Sequence, residues 1–275
     1  MIARVWRVRR VRIGLALVGM LALVALAAPV LAPYNPVTQI DVVHARDLPP
    51  SFAHPLGTDP YSRDVLSRVI YGARMSLAIA AFSVAIAVTL GTAVGLTAGF
   101  AGGAADAVLM RLVDAGLAIP RFFVLLVVLA LWNTVGPVAL GALIGLTGWF
   151  GMSRIVRQET ESVRHREYVT AARAVGCGTT RTLLRHVLPN VAGPVIVAAA
   201  LGMGNVILLE TGLSYLGIGV MPPTPSWGNI IWDGHDVMLN APWISMAAGL
   251  AVVLTVLAFS YLGEGLRRAL EPSAT

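Results

Sequence analysis

The sequence predicts an all-α membrane protein of six transmembrane helices with both termini cytoplasmic, and three observations predict it. Charged residues make up only 12% of the 275 positions, about half the share a soluble chain carries. The hydrophobic residues, 57% of the chain, gather into blocks about long enough for an α-helix to cross some 30 Å of hydrocarbon. The arginines gather on alternate connections between those blocks, as the orientation of a multi-pass chain requires.

The first block runs from Ile13 to about Ala32, behind a leader, MIARVWRVRRVR, that carries five arginines. A secretory signal peptide is the rival reading, with Ala25-Leu26-Ala27 as its cleavage site, but its apolar region would be shorter, roughly 7–15 residues. The length of the block and the further blocks behind it favour an uncleaved anchor. Residues 33–74 are polar and proline-containing and hold no run long enough to span. Within them, Ser62 to Arg74 reads as a short amphipathic helix with Val65, Leu66 and Val69 on one side. Five further blocks follow at about 75–100, 113–132, 135–153, 187–209 and 243–263. Gly91, Gly95 and Gly99 recur nearly four apart in the second block, as do Gly141, Gly145 and Gly148 in the fourth. Such stripes let helices approach closely in lipid, although glycine is also common in membrane helices generally. Both explanations stay open at this stage.

With the N-terminus in the cytoplasm, sixteen of the twenty arginines fall on cytoplasmic segments, counting Arg111 and Arg121 near the second connection and seven between 154 and 185. The long connection 210–242 has none. Two parts follow: residues 1–74, an N-terminal helix with an extracytoplasmic segment, and residues 75–272, the membrane core with a charged cytoplasmic loop at about 154–189.

Composition also excludes chemistries. The chain has no lysine, so it lacks the residue a phosphate-binding P-loop needs and the one a Schiff-base enzyme needs. A single cysteine, Cys177, leaves no internal disulfide and no cysteine-pair metal site. The net charge of +6 flanks apolar blocks, which fits a lipid bilayer rather than nucleic acid. Asp233, His235, Asp236 and Met238 would suit a divalent ion, but four such residues in one exposed loop arise easily by chance, and no metal site is expected.

The segment Ser153–Asn190 is the most informative. Tyr168 to Val175 is helix-compatible, with Ala171 and Ala172 at its centre. Gly176 and Gly178 then break it. Thr179 or Thr180 can cap a second helix, Arg181–Val187, and Pro189 and Asn190 mark entry into the fifth span. This is either a rigid protrusion for a partner to push on or a solvated basic loop that fixes topology. On the other side, Glu210 ends the fifth span. A charge there is a functional candidate or a loop anchor. Leu213 to Val220 could dip back towards a pathway if its backbone is covered, or lie on the surface with Trp227, Trp232 and Trp243 as interfacial anchors. Arg111 and Asp114, three apart, could pair on one helix face near a membrane boundary, with Arg121 nearby.

The spacing of Ala171, Ala172, Gly176, Leu188 and Pro189 resembles the EAA loop of binding-protein-dependent ABC importer permeases. Thr170 stands where that motif has Glu, and His186 where it has Ile. The string Glu167-Tyr168-Val169 with Ala171 to Gly176 resembles the dipeptide/oligopeptide/nickel branch, which tolerates both departures. Three other stretches are similar to the C-type subunit of that branch: His54 to Asp59 with Ser62 to Arg68; Met110-Arg111 with Asp114 and Pro120; and Leu213 to Gly219 with Pro222-Pro223 and Pro225 to Gly228. The matches are spread in order over nearly the whole chain. The resemblance implies a type I ABC importer permease fold and a permease subunit, not an enzyme, in a bacterial cytoplasmic membrane. It implies a second homologous permease, two cytosolic ATPase domains carrying ATP and Mg, and an extracytoplasmic solute-binding protein, with no cofactor on this chain. Glu167, Ala171, Ala172, Arg173, Gly176, Leu188 and Pro189 would then couple to the ATPase. Gly176 would provide the turn, the two alanines room for docking, and Arg173 a partner for an acidic residue. Glu210, Leu213, Ser214, Tyr215, Leu216 and Gly217 are the gate candidates. Dipeptides or oligopeptides are the implied cargo, with nickel or another small solute as the alternative. A stand-alone secondary transporter or channel would show charges paired within several spans and inverted repeats, and a membrane enzyme a reactive constellation. The sequence displays neither.

Overall fold

The computed structural model describes residues 8–132 and 135–270, and these are helices joined by turns. Arg4 and Arg7 of the basic leader lie outside the described residues, as do positions 271 and 272. The first block forms α1 (Arg9–Leu26) and a short α2 (Ala28–Leu31), divided at Ala27. After an irregular segment come α3 (Val65–Ala101), α4 (Gly103–Ala118), α5 (Arg121–Ala130) and α6 (Pro137–Arg164). The loop helix α7 (Glu167–Ala174) precedes α8 (Thr179–Thr182), a π-turn at Leu183–Val187, and α9 (Leu188–Tyr215). A short α10 (Trp227–Asp233) and the long α11 (Pro242–Leu270) complete the order.

By length and composition four of these helical runs can cross a membrane: α3, α6, the run Thr179–Tyr215, and α11. The pair α4 and α5 makes a fifth if it counts as one span bent by 72°. The chain is therefore a multi-pass, all-helical membrane protein. In α1, Arg9, Arg10 and Arg12 occupy the first turn, so its apolar reach starts at Ile13 and depends on continuation into α2.

Two expected elements differ. The short helix at Ser62–Arg74 is not separate from the second span. Asp64 caps it by accepting the Ser67 N–H at 2.8 Å, and the helix then runs 37 residues without a break, through the division drawn at 74/75. No residue in that stretch stops a helix until Gly102, whose φ of +66° does. The block 113–132 is not one straight span. Ile119 is extended and Pro120 follows it, because a residue before proline is pushed out of the α region and proline donates no backbone hydrogen bond.

α3 and α6 form the central pair, and the glycine stripes explain how. A Cβ added at Gly91 would lie 2.5 Å from the Met152 Cβ, at Gly95 2.6 Å from the Ser153 carbonyl, and at Gly99 2.6 Å from the Arg157 carbonyl. From the other side, Gly145 would meet the Ile86 Cβ at 2.7 Å. Only hydrogen fits at this distance, so close approach, not mere abundance, accounts for the stripes. The main core joins Ile79, Ile144, Ile207, Trp227 and Ile244. A second core, with Leu96, Val156, Val163, Val169, Val187 and Val191, ties the loop helices to the bundle.

Candidate functional site: the coupling loop and the outer hub

α6 carries helix out to Arg164, so the charged loop is ordered from its first residue. α7 follows, one residue earlier than expected. Its end is a Schellman motif: the Gly176 N–H donates to the Arg173 carbonyl at 3.0 Å and the Cys177 N–H to the Ala172 carbonyl at 3.0 Å. Gly176 sits at φ +85° with no atom within 4 Å of where a Cβ would stand. It is there for its backbone conformation, not for packing. Neither threonine caps the next helix. Gly178 occupies that position without a side-chain bond, because Thr179 is already helical. Helix then continues through the π-turn, and Pro189 stands directly after it, at the start of α9.

Val169 is fully buried on one face of α7, Ala172 is half-buried, and Ala171 and Gly176 are exposed. Tyr168, Val175 and Leu184 also stand exposed at 40%, 83% and 59%. Glu167 is exposed at the start of α7, Leu188 packs against the second core, and Pro189 is exposed. Arg173 lies over the Phe100 ring at 5.5 Å, which holds α7 to the end of α3. Below the loop, Arg157 grips Asp106 with bonds of 2.6 and 3.0 Å, and Arg154 meets Asp114 at 2.5 Å. Asp114 therefore pairs across helices and not with Arg111.

At the opposite end, Glu210 is fully buried and accepts hydrogen bonds from Ser76 at 2.9 Å and Ser214 at 2.7 Å. Ser214 Oγ in turn accepts the Val220 N–H at 3.0 Å. One carboxylate thus joins α3, α9 and the outer loop, the anchoring role. The segment after it does not dip back as a separate loop. α9 continues to Tyr215 and ends in a second Schellman motif, with Gly217 at φ +75° and bonds of 3.1 Å from Gly217 to Ser214 and from Ile218 to Leu213. Leu213 is core, Tyr215 meets the Trp232 ring edge-on at 5.8 Å, and Leu216 is exposed. The six gate candidates are thus split between core, hub and surface.

Two features escaped sequence reasoning. The first is a buried ionic cluster. Arg63 bonds Asp59 at 2.7 Å and Asp233 at 2.8 Å, and Arg68 bonds Asp233 at 2.8 Å and also Asp59. All four side chains are nearly fully buried. The cluster clamps the segment before α3 onto α10, and it engages Asp233 with two guanidinium groups. Charges in a loop of so charge-poor a chain were the available signal. Beside it, burial pushes the Asp47 carboxyl above its ordinary value, and nearby Asp59 adds to this against Arg46. The second is Arg121. It starts α5 at the break and donates to the Ile144 carbonyl and, at 3.0 Å, to Thr147 Oγ1. Thr147 precedes Arg157 by ten residues on α6, about 15 Å along the axis. Arg121 therefore sits inside the bundle and not at its boundary.

Fold and site define a multi-pass, all-helical membrane protein with an ordered, charged loop at one end of its longest helical run. Comparison with known proteins gives the family. Residues 91–275 match the binding-protein-dependent transport system inner membrane component family. Residues 3–50 match the N-terminal transmembrane domain of oligopeptide transport permease C. The chain is 39% identical over 268 residues to a putative peptide permease protein of Brucella suis, covering 95% of this chain and 86% of that one. It is 38% identical over 270 residues to a di/tripeptide transport system permease protein of Pseudomonas aeruginosa, covering 94% and 86%. It is 36% identical over 269 residues to a dipeptide transport system permease protein of Alkalihalophilus pseudofirmus, covering 94% and 84%. The chain belongs to the binding-protein-dependent permease family and is the membrane component of such a transport system.

Proposed function

We propose that this chain forms half of the translocation pathway of an ATP-driven importer of dipeptides or oligopeptides in a bacterial cytoplasmic membrane. It crosses six times, with α1–α2 and the bent α4–α5 pair as the first and third spans and both ends cytoplasmic. It pairs with a related permease, takes cargo from an extracytoplasmic binding protein, and itself hydrolyses nothing. Two cytosolic ATPase domains bind ATP and Mg and receive the 167–189 loop, with Ala171, Ala172 and Gly176 at the contact and Glu167, Arg173, Leu188 and Pro189 shaping it.

One observation carries this reading. The helical run Thr179–Tyr215, 37 residues long, starts in the loop and ends at the Glu210 hub. At 1.5 Å per residue it spans about 55 Å. A push on the loop therefore has a continuous helical path to the outer end, where Leu213 to Gly217 meet the outer loop. Peptide cargo is favoured over nickel because the relatives above are named as peptide, dipeptide and di/tripeptide permeases.

The test is ATP-dependent uptake of a radiolabelled dipeptide by cells with and without the chain, together with purification of the tagged protein from native membranes. Uptake that disappears on deletion and returns on complementation, with an ATPase co-purifying, is the expected result. Purification without any ATPase would sink the coupling role. Unchanged uptake with the ATPase present would move the cargo to another solute.

A further inference from the structure

Arg121 is an ionisable group within the helical bundle, where charge is costly and needs a reason. Its Nε and Nη2 find the Thr147 hydroxyl and the Ile144 carbonyl, both neutral, and no carboxylate lies within ion-pair distance among the described residues. A guanidinium has five donors in a fixed fork, so part of this one is unspent. The guanidinium lies on a cavity of about 160 Å³ between α3, α6 and α9. The bundle makes room for it: a Cβ at Gly148 would stand 2.8 Å from its Nη2. Across the cavity the wall is small, with Ala198, Ala199 and Gly202, and carries one polar side chain, Asn205. Asn205 is exposed on a membrane-spanning helix, and its side chain makes no hydrogen bond among the described residues. A bare amide facing hydrocarbon would be costly, so this face is turned away from lipid.

We propose that Arg121 and Asn205 form a polar contact point in the translocation pathway that takes the C-terminal carboxylate of a passing peptide. The inference rests on the peptide-import reading. A planar fork matched to a planar carboxylate explains why arginine stands there. An unpaired positive charge is otherwise a barrier in a pore for cargo of mixed sign.

The experiment uses the whole transporter, with both permeases, ATPase subunits and binding protein, in proteoliposomes. Uptake of radiolabelled dialanine is compared with uptake of its C-terminal amide, for wild type, Arg121→Gln and Arg121→Lys. Each variant is scaled to wild type for the same peptide, which cancels any preference of the binding protein. Loss of a charge-assisted bond predicts that Arg121→Gln lowers the free-acid to amide preference about tenfold, and that Arg121→Lys keeps most of it. Equal losses for both peptides would make Arg121 a structural staple and overturn the proposal, as would no loss for either. If wild type rejects the amide, p-benzoylphenylalanine in place of Asn205 is used to photocrosslink labelled dialanine during turnover. A crosslink that persists undiminished in Arg121→Gln, or is never seen, overturns it. Wild type that carries neither peptide defeats the import reading itself. Wild type that carries both, with a ratio untouched by Arg121→Gln, defeats only this inference.

Discussion

Gly176 offers a way to separate what the loop does for this chain from what it does for a partner. Its φ of +85° is unfavourable for any residue with a Cβ, yet no atom lies within 4 Å of where that Cβ would stand. Within the chain, then, neither Gly176→Ala nor Gly176→Trp clashes at Cβ, and both incur the backbone strain of the left-handed region, about 1–2 kcal/mol. That lowers the population of the correctly capped turn by a factor of about 5–30. Gly176→Asn should recover part of it, since asparagine tolerates this conformation. Two assays divide the effects. Thermal unfolding of the isolated chain in detergent should rank wild type above Asn, and Asn above Ala, with Ala and Trp alike. Retention of the ATPase on the purified permease, and dipeptide uptake, should fall modestly for Ala and be abolished for Trp, whose indole would fill the space a docking groove must occupy. If Trp behaves like Ala in both assays, the exposed side of this turn touches nothing, and docking at Gly176 is wrong. If Trp destabilises the isolated chain far more than Ala, the open space around Gly176 is not there.

Two further predictions concern the scaffold. Gly95→Leu drives a side chain into the Ser153 carbonyl, 2.6 Å from the new Cβ; overpacking of about 1–3 kcal/mol or more should lower the detergent melting temperature, while Gly249→Ala, with nothing within 4 Å, should leave it unchanged, and equal melting would show that α3 and α6 are not in close contact. In the ionic cluster, Arg68→Met leaves a buried carboxylate short of a partner and should cost about 3–5 kcal/mol; Arg68→Met with Asp233→Leu leaves Asp59 paired to Arg63 and should be milder than either single change, so a double variant as damaged as the sum of the singles would show that the four charges do not act as one unit.

The membrane class, most span positions and the loop turn were legible because each follows from local rules: apolar length, arginine placement and a glycine where φ must be positive. The 72° bend at Pro120 was also local, since Ile119-Pro120 sits inside the block, but block length outweighed it in the reading. The fate of Ser62–Arg74 was not legible from amphipathicity, because what decides it is the absence of any stop before Gly102. The hub and the cluster are long-range. Glu210 meets Ser76 and Arg68 meets Asp233 across more than 130 and 160 residues, and no spacing rule links them. Arg121 was misplaced for a related reason. Its neighbours in sequence suggested a boundary, while its partners on α6 fix its depth.

Long-range polar contacts and the local turn share a mechanical logic. The two Schellman motifs, at Gly176 and Gly217, close the loops at opposite ends of the Thr179–Tyr215 run, and each fixes the direction in which the chain leaves its helix. Between them the run is interrupted by the π-turn at Leu183–Val187, by Pro189 directly after it, and by Pro194, and π-turns and prolines are the devices that most often bend a helix. All three lie in its first half, on the side of the charged loop. Beyond Pro194 the helix is regular and its end is held by Glu210 to α3 through Ser76. A displacement of α7 can therefore be absorbed near the loop or passed on, depending on how far those points yield. The outer end cannot move alone, because Ser76 would be left without its carboxylate and the Val220 N–H without Ser214. Motion at the outer face must carry α3 with it, and α3 is locked to α6 along the glycine stripes. Contacts thus tie α3, α6 and α9 together, and the cavity at Arg121 is lined by those three helices with α5.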